Sequence, residues 1–545
     1  MTAHAKTLRA RRIAIAAVAL AGFAAPAAEA KDLTIGVSAE ASSIDPHFHA
    51  LTPNIQVRWN TFESLVGQDA TQKVQPALAE KWEAIDDTSW RFHLRKDVKF
   101  SNGTPFTARD VIYSVCRIPL VKDSPSPFTV YTKPIVDMKA EDDTTLLIKT
   151  VSPDPLLPVE LAQVGIVSAS ALGTTSPITF GREGCEGLGT VPQAPEFNKP
   201  EIAIGTGPYK LVSYTRGDRI ILERNDAYWG GKPQWDKVII RPVTSDAPRV
   251  AALLAGDVDL IENPPSQDLD RIKKGGFKVV SGLSNRLIYL HMDQEGDAPS
   301  LTSPTGKNPF LDPKVRAAIS KAINRKGIVE RIMGGVAQAA GELLPYPMFG
   351  TLNREPETYD PEGAKKLMVE AGYPEGFEVV LGTPNDRYVN DEKIAQAVAQ
   401  MLARIGIKVK VEAATASQFF SKRNKQEYPF YLSGWSAATG DTSSPLVTLV
   451  ATFDKANGRG TTNAGRYSNP KMDALVIEAM RTIDDAKRAE LLKQAQTVVL
   501  DDHGILPLHF EVTSWAFKPE FDYTPRTDQY TFAFEVKSAG SAPAK

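Results

Sequence analysis

The stretch FEVVLGTPNDRYVNDEKIAQAVAQMLARIGIKVKV, residues 377–411, decides the fold class. Phe377-Glu-Val-Val-Leu381 is a short apolar run, and Ile407-Lys-Val-Lys-Val411 alternates apolar and polar residues at the period of a strand. Between them, Asp391 to Ile405 places Ile394, Ala395, Val398, Leu402 and Ile405 on one helical face, and Gly406 ends the run. Strand, helix and returning strand form a βαβ unit with parallel strands. The loop Thr383–Asn390 then lies at the carboxyl end of the first strand, the edge where ligands sit in open α/β sheets.

Outward from this unit the pattern stays mixed α and β. Asp312-Pro313 and Asp360-Pro361 each place a capping carboxylate before a first-turn proline, and Gly372 closes the second of these helices. Helices are predicted over 470–480 and 486–500, with a final strand over 505–510. Toward the N-terminus, Leu33–Val37 and 90–95 read as strands. Thr107 with Asp110 opens a helix through Val115. Arg249–Leu254 is a helix stopped at Gly256, followed by the strand Val258–Ile261. Residues 151–200, rich in Pro, Gly and Ser, read as a loop-dominated excursion. A chain that starts in one α/β unit, builds a second and returns on a last strand predicts two lobes hinged around a cleft.

Residues 1–30 read as an export leader: basic Lys6, Arg9, Arg11 and Arg12, the short apolar run Ile13–Ala25, and a small-x-small site at Ala28-Glu29-Ala30. No Cys adjoins that site to carry a lipid, the first being Cys116, so the expected location is a periplasm, free of the membrane. At 42% hydrophobic and 23% charged residues, composition is that of an ordinary globular chain, and a net charge of −2 gives no footprint for nucleic acid. In an oxidising compartment the two cysteines, Cys116 and Cys185, are expected to bond, with two buried thiols as the other reading.

The common catalytic motifs fail in this sequence. Gly434-Trp-Ser436-Ala-Ala438 fails the nucleophile elbow at its last position, and there is no phosphate-binding Gly-Lys-Ser/Thr loop. Lys210 stands where Gly205-Thr-Gly207 would need its third dinucleotide-binding glycine. His47-Phe48-His49 could hold a metal from alternate positions, but two solvated or ligand-lining histidines are the preferred reading, and no cofactor is expected. The profile is that of a binding protein and not an enzyme, with an extracytoplasmic hydrolase as the alternative from another class.

Several stretches carry a family resemblance: Leu78-Ala-Glu-Lys-Trp82, Trp90 to Arg95 and Val98 to Val111; Gly205 to Tyr209 with Arg224 to Trp229; Arg249 with Leu253 to Asp259; Val315 to Ile323; and Ser433-Gly-Trp435. Together they resemble the family 5 extracellular solute-binding proteins, the dipeptide-, oligopeptide- and nickel-binding subunits of ABC importers. The resemblance implies an α/β, two-lobed periplasmic binding protein fold of the cluster C type. Lobe I would span 31–290 and 509–545, with an extra subdomain at about 79–200, and lobe II would span 291–508. The crossings would fall near Tyr289-Leu290 and Leu508-His509. It implies a monomer that captures a peptide or peptide-like solute by lobe closure and delivers it to permease and ATPase subunits on other chains. A receptor for an opine, an oligosaccharide or a metal chelate is the alternative, and a chemosensory role stays open.

Peptide binders of this family resemble Gly-Trp-x-x-Asp-x-x-Asp-Pro at the cleft, the first Asp pairing with the ligand's α-ammonium. Here Gly434-Trp435-Ser436-Ala437-Ala438-Thr439-Gly440-Asp441 carries Ala438 at that position and Asp441 at the second. Such a charge-assisted bond is worth about 1.5–3 kcal/mol, so either Asp441 takes over or the ligand lacks a free α-amine there. Arg387 is the candidate anchor for a carboxylate, with Tyr388, Trp435 and Ser436 beside it. Ser43, His47 and Phe48, which follow the first strand, are expected to face the cleft from lobe I.

Overall fold

The computed structural model describes residues 31–174, 176–296 and 301–540; the expected leader at residues 1–30 lies outside them. Among the described residues a twelve-stranded sheet runs through the molecule. At its centre two long strands, Lys278–Met292 and Leu506–Phe517, pair antiparallel. On one side, Leu506–Phe517 continues to Leu260–Glu262, then Asp32–Val37, Lys237–Pro242, Arg219–Arg224 and Tyr209–Thr215. On the other, Lys278–Met292 continues to Phe430–Trp435 and Glu378–Pro384, with Lys408–Ala414 parallel to the latter. These halves are lobes I and II. The crossings expected at Tyr289-Leu290 and Leu508-His509 fall inside the two central strands.

Both faces of lobe II's sheet are buried, and the period of two sorts its side chains. Ile288, Leu290, Met292, Phe430 and Leu432 enter one core, and Leu287, Tyr289, Tyr431 and Phe510 enter the other. The βαβ unit forms as read: its helix spans Asp391–Ala403 and buries Ile394, Ala395, Val398 and Leu402 against the first of these cores. At its base the chain passes itself closely. A Cβ on Gly376 would meet the Gly406 carbonyl at 2.0 Å, and both glycines have positive φ (72° and 88°) that other residues rarely adopt.

Lobe I carries a separate four-stranded antiparallel sheet in the order Ala79–Asp86, Ser89–Leu94, Thr145–Thr150, Ile135–Asp142. The helix Ala108–Arg117 joins it to the 151–200 excursion. Thr107 N–H donates to Asp110 Oδ2 at 2.9 Å, and Oδ1 of the same carboxylate accepts from Ala169 N at 2.9 Å. At the helix's other end Cys116 is bonded to Cys185. No helix among the described residues is long and apolar enough to cross a membrane.

The disulfide spans a sequence separation of 69 residues. Confining a loop of that size in the unfolded chain contributes about 4 kcal/mol. Denaturant melts of the oxidised and reduced protein should differ by roughly that amount in lobe I; coincident melts would mean that packing alone holds the excursion.

Candidate functional site: the cleft between the lobes

The cleft lies where the parallel strands of each lobe end, after Val37 and Glu262 in lobe I and after Pro384 and Trp435 in lobe II. Of the expected lobe I contacts, Ser43 and His47 are buried within that lobe. Ser43 Oγ lies 3.2 Å from both Ala194 O and Asn198 Oδ1. His47 is fully enclosed, with Nδ1 2.9 Å from Arg117 Nη1 and Nε2 2.7 Å from Gly165 O. Arg117 can only donate, so Nδ1 accepts and Nε2 carries the proton. Burial and the Arg117 charge hold this imidazole well below its ordinary pKa, and thus neutral. Both of its nitrogens are engaged, which leaves neither for a metal. Arg117 also grips Asp45 with contacts of 2.8 and 2.6 Å, an ion pair shut off from solvent. Phe48 is half-buried and meets the His49 ring edge-on at 6.4 Å.

Lobe II presents its expected residues on two adjacent loops. Asp391 Oδ2 accepts from the backbone of Arg387 at 3.2 Å and Tyr388 at 3.0 Å, folding that loop onto the helix start. The Arg387 side chain is exposed, its guanidinium 5.3 Å from the centre of the Tyr388 ring. Tyr388 is buried and donates its hydroxyl to Gly434 O at 3.2 Å. Trp435 is half-buried, with Nε1 donating to Ser444 Oγ at 3.1 Å. Ser436 Oγ bonds Asn285 Oδ1. Ala438 offers its carbonyl to the Gln72 amide of lobe I at 3.1 Å. Asp441 is 3% exposed, with Oδ2 2.5 Å from Arg488 Nη1 and Oδ1 accepting from Ser443 N at 2.8 Å. Both of its oxygens are thereby occupied.

Residues that the sequence reading passed over sit at the hinge. The ladder between the central strands is irregular between Leu283–Val512 and Leu287–Phe510, and Ser284-Asn285-Arg286 occupies the break. Asn285 ties the lobes together: Nδ2 donates to Gln72 Oε1 at 2.6 Å and to Ala437 O at 2.7 Å. Arg286 lies 3.4 Å from Glu511 and donates to Gln529 at 3.2 Å. Burial raises the Glu511 carboxyl, opposed by Arg286 and then by Arg387; burial also lowers Arg286, opposed by Glu511 and reinforced by Arg387. Arg286 and Arg387 thus both act on Glu511, while the Asp391 carboxylate stands against the Arg387 backbone. The signal was a polar triplet interrupting an otherwise apolar run, VVSGLSNRLIYLHM, residues 279–292.

The chain is similar to several known binding proteins over nearly its whole length. The glutathione-binding protein GsiB of Escherichia coli strain K12 is 28% identical over 517 residues, covering 93% of each chain. The periplasmic binding protein DppA of Helicobacter pylori, solved with the peptide STSA, superposes with a TM-score of 0.69 at 25% identity, covering 93% of this chain and 98% of that one. AgaA of A. tumefaciens R10, solved with agropinic acid, gives 0.68 at 26% identity, covering 94% and 99%. The profile of the bacterial extracellular solute-binding proteins, family 5, matches residues 73–457, and this chain belongs to that family.

Proposed function

We propose that the chain is the periplasmic capture subunit of an ABC importer, taking a small peptide-like solute that carries at least one carboxylate. The observation that carries this reading is the exposed Arg387 guanidinium at the cleft edge, beside the paired Arg286 and Glu511 of the hinge. Arg387 would hold the carboxylate, with Tyr388, Trp435, Ser436 and the Ala438 carbonyl shaping the lobe II wall. The relatedness to glutathione-binding proteins supports a short acidic peptide over a sugar. Ser43 and His47 then act by holding the lobe I loop in place, and Asp441 by pairing with Arg488. The leader at residues 1–30 would be cleaved on export. The chain would act as a monomer without catalytic turnover, closing on its ligand and docking on permease and ATPase subunits encoded by other chains.

Titration calorimetry of residues 31–545 with glutathione, acidic dipeptides, an opine and an oligosaccharide tests the reading. Glutathione or an acidic dipeptide should bind, and Arg387→Ala should weaken that ligand about ten- to a hundredfold. Binding of the sugar alone, or full affinity in Arg387→Ala, would sink it.

Asp441→Ala should instead act on stability. It leaves Arg488 buried without its partner, at a cost of about 3–5 kcal/mol, which a denaturant melt would read. An unchanged melt with lost ligand affinity would return Asp441 to the binding site.

A further inference from the structure

We propose that Asp154, Glu160 and Gln163 of lobe I form a cation subsite of the cleft, which takes the ammonium group of the bound solute. The inference rests on the peptide-type reading above and names a second pole for that ligand.

Three acceptors within ten residues carry the argument. Among the described residues, Asp154 Oδ2, Glu160 Oε2 and Gln163 Oε1 are buried without a hydrogen-bond partner. Asp154 is 8% exposed and Gln163 1%. The remaining polar atoms of two of them fix their placement. Asp154 Oδ1 accepts from Leu156 N at 3.1 Å, at the start of the short helix Leu157–Leu161. Gln163 Nε2 donates to Gln68 Oε1 at 3.2 Å, and the Gln68 amide in turn lies 3.4 Å from the carbonyls of Ala438 and Thr439 in lobe II. Gln163 therefore stands one side chain away from the loop on which Ala438 offers no carboxylate.

The charges point the same way. Burial raises both carboxyls, Glu160 further through Asp154, while Arg488 of the opposite lobe draws Asp154 down. No Lys or Arg among the described residues is paired with either carboxylate, and Arg488 is already bonded to Asp441. Arg58, buried in the same lobe, donates Nη1 to Ser64 Oγ at 3.0 Å and makes no ion pair with either acid. Two neighbouring buried acids with free acceptor oxygens are costly until a positive group with several N–H donors enters. An ammonium supplies three donors and the charge. With Arg286 and Arg387 at the hinge, the cleft has one acidic and one basic pole and suits a zwitterion.

Calorimetry with glutathione and N-acetylglutathione tests the subsite on residues 31–545. The wild type should bind the free amine about ten- to a hundredfold tighter, and Asp154→Asn and Glu160→Gln should bind the two probes nearly alike. Equal binding of both probes by the wild type, or undiminished discrimination in a folded double variant, overturns the subsite while leaving the peptide-type reading intact. Should a variant fail to fold, the wild-type comparison decides alone. If the wild type binds neither glutathione nor a free acidic dipeptide, the peptide-type reading falls and the subsite with it.

Discussion

The antiparallel ladder between Lys278–Met292 and Leu506–Phe517 joins the two lobes at the centre of the sheet, and the first of its irregularities falls at Ser284–Arg286. Backbone groups inside a sheet must be paired, so a strand that crosses from lobe to lobe can yield only where its ladder is already irregular. The break meets this need by moving polar work from backbone to side chains. Asn285 bonds Gln72 of lobe I and Ala437 of lobe II, contacts that can be exchanged at less cost than ladder bonds. The hinge lies beside the strand ends of the cleft, and on the proposed reading a ligand held by Arg387 would act directly on the joint.

Buried charge constrains the rest of the cleft. A charge removed from water is costly unless paired, and this chain pairs several of its buried charges inside one lobe: Asp45 with Arg117, Asp441 with Arg488, and Arg526 with Asp528. Each such pair is committed to structure and withdrawn from recognition. On the proposed reading, what remains for a solute is Arg387 at the hinge and the unpartnered acceptors of Asp154 and Glu160 in lobe I. This separates Asp441, whose carboxylate is spent on Arg488, from Asp154, whose Oδ2 is free of any partner.

Much of the architecture was legible because it is written in local signals. The caps at Asp312 and Asp360 accept from Lys314 N and Gly363 N, and the βαβ unit pairs its strands in parallel. Cys116 and Cys185 are bonded. Other features depend on distant partners that no local pattern records. The strand read as 505–510 extends to Phe517 because Lys278–Leu283 and Leu260–Glu262 supply its neighbours. The inward turn of Ser43 and His47 depends on Asn198 and Arg117, residues 155 and 70 positions away. An irregular loop has no period to reveal which side chains face the cleft, and Arg286 went unread because it stands within a mainly apolar strand run.

Recognition by charge has a consequence for selectivity. The lobe II wall contributes mainly backbone carbonyls, an aromatic edge and small side chains at Ser436 and Ala438, features that tolerate many solutes. Discrimination must then come from where the charges stand. A ligand offering a carboxylate to Arg387 gains, whereas one offering a second cation there meets Arg286 as well, and like charges in a partly desolvated site cost more than a neutral mismatch. The loss of an acidic side chain at position 438 is thus more than a missing contact. On the proposed reading the acids that meet the ammonium stand in lobe I, so that a zwitterion would span both lobes and have its two charges satisfied together only when the cleft is closed.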